Sequence, residues 1–182
     1  MIIAAGLLAL ASVPEVFVVL WATQAGLAVV WVPLVRAAAS LAKMLIAMPA
    51  GILSDRVGRV PLLLGGWTLR VLVLLLLAFA DPAGIGVWVL FMAYSATLAV
   101  TEPAERSVIG DHAAPEERGT AFGLYHLASG LLVLPGAVIF GLIWQRFGST
   151  SAFTVSAVVT AVAALLMISL AGSRGSGARH VP

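Results

Sequence analysis

Ionisable residues interrupt long apolar stretches at Glu15, Lys43 and Arg70, with Arg36 nearer the end of its run. A carboxylate in such a place can take up and release a proton, and an ammonium or guanidinium can hold that carboxylate or a charged solute. Charge is costly at membrane depth, so these positions are functional candidates by default. At 1.5 Å of rise per residue, Glu15 lies about 20 Å from the start of the first run and Lys43 falls near the middle of the second. Their depths match. Two readings stay open for the pair: an internal ion pair that fixes packing, or a protonation and substrate-charge site. Arg36 precedes Lys43 by one heptad on the same helix face and is close enough to the outer end to snorkel. Arg70 stands about 14 Å into the third run, too deep for easy snorkelling, and is expected to face protein or a cavity.

Other chemistries find little footing. His126 and Ser129 share a helix face, with Tyr125 beside them, which raises a serine-type intramembrane hydrolase. A lone His on an apolar helix is more often satisfied by a neighbour. The sequence has no HExxH, no paired intramembrane aspartates and no cysteine nucleophile, so an enzyme is not expected. Neither a metal site nor a cofactor is expected. The pI of about 9.7 suggests a nucleic-acid partner at first sight, but the net charge is only +2. The ten Lys and Arg residues are scattered instead of forming a stripe, which argues against nucleic acid.

The elements that must position these groups are membrane helices. With 62% hydrophobic and 10% charged residues and a mean hydropathy of +1.10, the chain is far from soluble composition, where roughly a quarter of residues are charged. A spanning helix needs about 20 mostly apolar residues. Six runs qualify: Ile2–Ala22, Trp31–Leu53, Pro61–Ala80, Ile85–Val100, Thr120–Trp144 and Thr150–Ala171. An Ala9-x-Ala11 arrangement resembles a signal-peptidase site, yet no basic region precedes it and the apolar character continues to Trp21. The expected architecture is an all-α integral membrane domain over residues 1–172, followed by a disordered tail over 173–182 that is rich in Gly and Ser.

Basic residues fix the expected orientation, because short cytoplasmic loops are enriched in Lys and Arg. One side carries Arg56, Arg59, Arg106, Arg118, Arg174 and Arg179; the other carries Arg146. Both termini are therefore expected in the cytoplasm. Glu102, Glu105 and Arg106 then anchor the inner end of the fourth helix, and Glu116 and Glu117 suit the first turn of the fifth. Gly119 and Gly123, with Gly130, Pro135, Gly136 and Gly141 further along, suit close packing and a bend.

Between the second and third runs lies GILSDRVGRVPLL, Gly51 to Leu63. Gly58 is expected to supply the positive φ of a tight reversal, Pro61 to open the third helix and Gly51 to leave room for a neighbouring helix. Asp55 can face the positive end of a nearby helix or pair with Arg59. The pattern Gly51-x-Leu53-Ser54-Asp55-Arg56-x-Gly58-Arg59-x-x-x-Leu63 resembles the signature loop of the major facilitator superfamily. Val60 stands where that family usually carries a second basic residue. RGTAFGLYHLASG (Arg118 to Gly130) and GLIWQRFGSTSAF (Gly141 to Phe153) are similar to the end of a C-terminal half of that family.

The resemblance implies six transmembrane helices forming one half of the major facilitator fold. It implies a secondary active transporter that moves a small-molecule substrate across the cell inner membrane by alternating access, with proton-coupled efflux as one form of it. Gly51, Asp55, Arg56, Gly58 and Arg59 are then the conformational-switch loop, and Glu15, Lys43 and Arg70 the candidate coupling or substrate pathway. The family's usual unit has two such halves, so the partners expected besides the lipid bilayer are a missing N-terminal half or a second copy. A chain that begins inside an apolar run is expected to be a fragment. The alternative is a non-transporting membrane interaction module or a half-size homodimer.

Overall fold

A computed structural model describes residues 13–112 and 118–177. Among them are five helices: α1 (Glu15–Gln24), α2 (Val32–Val57), α3 (Arg59–Phe79), α4 (Ile85–His112) and α5 (Arg118–Gly177). A 3-10 turn, Val29–Trp31, leads into α2, which carries Pro33 in its first turn, where a missing N–H costs no helix hydrogen bond. Four stretches are long and apolar enough to cross a membrane: Val29–Val57, Arg59–Phe79, Ile85–Ala104 and Gly130–Ser169. The fold is all-helical as expected, but six separate helices are not what the described residues present.

The differences have local causes. Of the expected first span only α1 and the residues just before it fall within the described part. α2 continues past Leu53 through Asp55 and Arg56, so the charged motif is helical almost to its end. Gly58 alone links α2 to α3, at φ +90° and ψ 155°, the positive φ expected of it. Pro61 sits at the third position of α3, within the first turn, not at its opening residue. α4 runs well beyond Val100, because its polar continuation (Glu102 to His112) is compatible with helix and only Pro103 breaks the hydrogen-bond ladder.

α5 is assigned continuously over 60 residues, yet Gly148 has φ +84° and ψ 171°, far from helical. A straight helix would hold residues 140 and 153 about 20 Å apart along its axis. Instead the Phe140 and Phe153 rings lie 5.6 Å apart between centroids, and Trp144 lies 5.5 Å from Phe153. The chain thus folds back at Gly148 into two arms, 118–147 and 149–177. The expected turn at Gln145–Ser149 shrinks to one glycine, whose lack of Cβ permits that backbone.

Packing runs mainly between α3 and α5, α2 and α4, and α3 and α4. One apolar cluster gathers Val18 and Trp21 of α1, Val35 and Ala39 of α2, the latter half of α3, Phe91 and Tyr94 of α4, and Phe140 and Phe153 of α5. A second, smaller one joins Leu62, Leu63 and Trp67 at the start of α3 to Ala104, Ala163 and Met167. Arm 149–177 therefore lies antiparallel to α3 along its length. α2 contributes little to either cluster: Leu34, Leu41, Met44, Leu45, Met48 and Ile52 are exposed on it.

Candidate functional site

The acid expected to matter meets its cation. Glu15, in the first turn of α1, holds Lys43 of α2 through Oε1, and its Oε2 lies 3.9 Å from Nη2 of Arg36. The arrangement follows from α2 itself, since positions 36 and 43 fall one heptad apart and so point the same way. Lys43 shares this face with Val35, Ala39 and Ala50, which are buried. The cluster is only partly enclosed: side-chain exposure is 33% for Glu15, 30% for Lys43 and 53% for Arg36. Arg36 was expected merely to snorkel. It is instead the second cation on Glu15, and the clue lay in the carboxylate having two oxygens and α2 two cations in register.

A second polar group is fully enclosed. Arg70 of α3 is 5% exposed and donates through Nη2 to the Thr101 hydroxyl of α4. Thr101 donates to the Thr97 carbonyl at 3.1 Å, Thr97 donates to the Tyr94 carbonyl at 2.7 Å, and the Tyr94 hydroxyl donates to the Val13 carbonyl at 2.6 Å. This polar column climbs one face of α4 and ends two residues before Glu15. Within it, Nε of Arg70 has no partner among the described residues. Thr97, Thr101 and Tyr94 escape a search for charge because each is a single hydroxyl in an apolar run. The spacing of Tyr94, Thr97 and Thr101 at three and four residues was the available signal.

Close approach of α3 to α4 puts Arg70 there. A Cβ on Gly66 would stand 2.5 Å from the Thr101 methyl. Gly66 is one turn before Arg70, so its missing side chain brings the guanidinium within reach of α4.

At the other end, residues of the α2–α3 junction line a cleft of about 230 Å³: Gly51, Ser54 and Asp55 of α2, Arg59 of α3, and Val100 and Pro103 of α4. Asp55 and Arg59 both reach it, while Arg56 is exposed. Gly51 does not serve close packing within this chain, as a Cβ there would meet nothing within 4 Å. It opens the cleft wall instead. His126 is exposed on arm 118–147, and the side chains of Tyr125 and Ser129 lie outside those described.

Apolar helices with an internal acid–base cluster, and a charged motif at a one-residue junction, are what the family comparison meets. The model of the Major Facilitator Superfamily matches residues 22–180. The chain belongs to that superfamily. That superfamily is one of membrane transporters, which accords with the apolar helices described above. An uncharacterized MFS-type transporter of Methanocaldococcus jannaschii is 28% identical over 122 residues, covering 67% of this chain and 30% of the relative. Solute carrier family 67 member A1 of Homo sapiens is 34% identical over 109 residues, covering 59% of this chain and 26% of the relative. The chain thus spans under a third of the length of these two relatives. No solved structure matches it significantly.

Proposed function

We propose that the chain is one half of a secondary active transporter that moves a small solute by alternating access, completed by a second six-helix half. The observation that carries this reading is the Glu15–Lys43 pair, set between apolar helices of a major facilitator chain. In this reading residues 1–172 form the membrane domain with six spans, arms 118–147 and 149–177 being two of them, and 173–182 are a tail. Both termini lie in the cytoplasm and the protein resides in the inner membrane. Each arm is long enough for a bilayer core of about 30 Å, which residues 130–169 run straight would exceed roughly twofold.

Glu15 is the coupling residue, Lys43 its counter-charge and Arg70 the brace between α3 and α4. Gly51, Asp55, Arg56, Gly58 and Arg59 form the loop whose contacts change as the halves rock. Protonation of Glu15 would couple to export of the solute, since loss of the carboxylate's charge frees Lys43 and Arg36 together.

The absence of cysteine makes a direct test simple. Single cysteines at Ser40, exposed on α2 close to Lys43, and at Ser54, in the cleft, are labelled in membranes with an impermeant maleimide added from one face at a time. Alternating access gives reciprocal labelling, Ser40→Cys from outside and Ser54→Cys from inside, and Asp55→Asn shifts the ratio between them. Identical labelling of both positions from a single face, with no effect of Asp55→Asn, would exclude the reading.

A further inference from the structure

Two cations face one carboxylate in the cluster on α1 and α2, so its formal charge is +1 with Glu15 ionised. Uncompensated charge is costly away from water, and the groups on Glu15 are not equally committed. Lys43 is in direct contact with Oε1, whereas Arg36 stands 3.9 Å from Oε2 and keeps 53% of its side chain exposed. A planar guanidinium in that state has donors to spare, and its fork geometry matches an oxyanion. Arg36 lies about 6 Å into α2 and Lys43 about 16 Å, so the two mark a path from the helix end toward mid-depth. Val16, next to Glu15 on α1, and Met44, next to Lys43 on α2, are apolar and exposed and offer contact for a hydrocarbon body.

We propose that Arg36 and Lys43 form a recognition site for small organic anions, with the Glu15 carboxylate as its internal occupant. The proposal rests on the transporter reading above and names the substrate class of the same site. A carboxylate on an apolar body approaches Arg36 first, where the hold on Glu15 is loosest, and then competes with Glu15 for Lys43. Each anion bound displaces the internal carboxylate from its cations. Glu15 is left without a counter-charge. No covalent step is involved; the exchange is of ion pairs alone.

This arrangement makes an unusual prediction, because removing a charged residue should strengthen binding. The purified 182-residue chain in lipid nanodiscs is titrated with radiolabelled benzoate, with inorganic phosphate as an oxyanion lacking an apolar body and tetraethylammonium as a cation of similar size. Benzoate should bind more tightly than phosphate, and tetraethylammonium should not compete. Glu15→Gln should tighten benzoate binding about threefold or more, while Arg36→Gln and Lys43→Gln should weaken it about tenfold or more. Unchanged or weaker binding by a helical, monodisperse Glu15→Gln protein overturns the proposal, as does wild type that binds no benzoate. Should Glu15→Gln lose its helical content, Glu15→Gln combined with Lys43→Met replaces it. That double variant must then bind benzoate more tightly than Lys43→Met alone, and equal binding overturns the proposal. Uptake assays keep the two readings apart. Benzoate binding without uptake of any solute by the chain assembled with its second half counts against transport and leaves the anion site standing, whereas uptake of tetraethylammonium by an assembly indifferent to benzoate leaves transport and removes the anion site.

Discussion

Arg70 and Thr101, 31 residues apart, join α3 to α4 through a hydrogen bond buried from every side. The guanidinium carries its charge into an apolar bundle and meets a neutral hydroxyl there, not a carboxylate. Satisfied donors make such a group tolerable; here Nε has no partner among the described residues, and the hydroxyl that Nη2 uses is itself committed to the Thr97 carbonyl.

Thr101→Val should therefore destabilise the protein by about 1.5–3 kcal/mol, the range for a lost hydrogen bond to a charged group, while Thr101→Ser should cost much less. Arg70→Met removes charge and donors together and should cost less than Thr101→Val, because nothing charged is left stranded. Thermal unfolding in detergent, compared across the three variants, reads the order directly; Thr101→Val equal to wild type would mean that water satisfies the guanidinium.

The same threonine limits what position 66 can hold. A Cβ on Gly66 would lie 2.5 Å from Cγ2 of Thr101 and 3.3 Å from Cγ1 of Val100, so Gly66→Ala should cost about 1–3 kcal/mol through overpacking. Gly65→Ala, whose Cβ meets nothing within 4 Å, is the control and should be neutral or slightly stabilising. Thr101→Ser deletes the offending methyl and keeps the hydroxyl, so it should rescue Gly66→Ala. Additive losses in the double variant would show that the strain lies elsewhere.

Much of this was legible in the sequence wherever one position decides the outcome. The Glu15–Lys43 pair follows from two depths counted along apolar runs, and the reversal at Gly58 from a glycine between a charged helix end and a proline. What could not be read depends on which helix lies against which. Arg70 finds Thr101 only because Gly66 lets α3 close on α4, and the spacing of Tyr94, Thr97 and Thr101 marks a polar face without saying which helix it meets. Arg36 escaped notice as a partner of Glu15 because snorkelling considers only its distance from the surface. Helix ends were legible least: α4 outruns its apolar part, and the turn between the arms of α5 is a single residue, since polar sequence is compatible with both helix and loop.

Gly58 is the one residue between α2 and α3, and its φ of +90° with ψ of 155° lies where side chains are rarely found. Gly58→Ala should cost about 1–3 kcal/mol by backbone strain, although the nearest atom to the added Cβ, Cδ of Pro61, is at an ordinary 3.6 Å. Gly51→Ala, in regular helix with open space around it, should be tolerated. Equal melting temperatures for the two variants would show that the junction relaxes without penalty.

The polar column reaches toward the acid–base cluster through Tyr94, whose hydroxyl donates to the Val13 carbonyl just ahead of Pro14 and Glu15. Val13 precedes α1, so this bond ties the entry of α1 to the middle of α4 and fixes where the Glu15 carboxylate begins. Tyr94→Phe keeps the ring in its buried place and removes the bond, leaving the carbonyl unpaired at a cost of about 1–3 kcal/mol. If the bond only holds the fold together, melting temperature falls and little else changes. If it also positions Glu15, Tyr94→Phe should loosen the carboxylate from Lys43 and make benzoate binding resemble that of Glu15→Gln, tighter than wild type in spite of lower stability. Tyr94→Phe placed on a Glu15→Gln background separates these outcomes, because a positioning role leaves binding there unchanged while the loss of stability persists. A further change in benzoate affinity on that background would show that Tyr94 acts on Arg36 or Lys43 and not through Glu15.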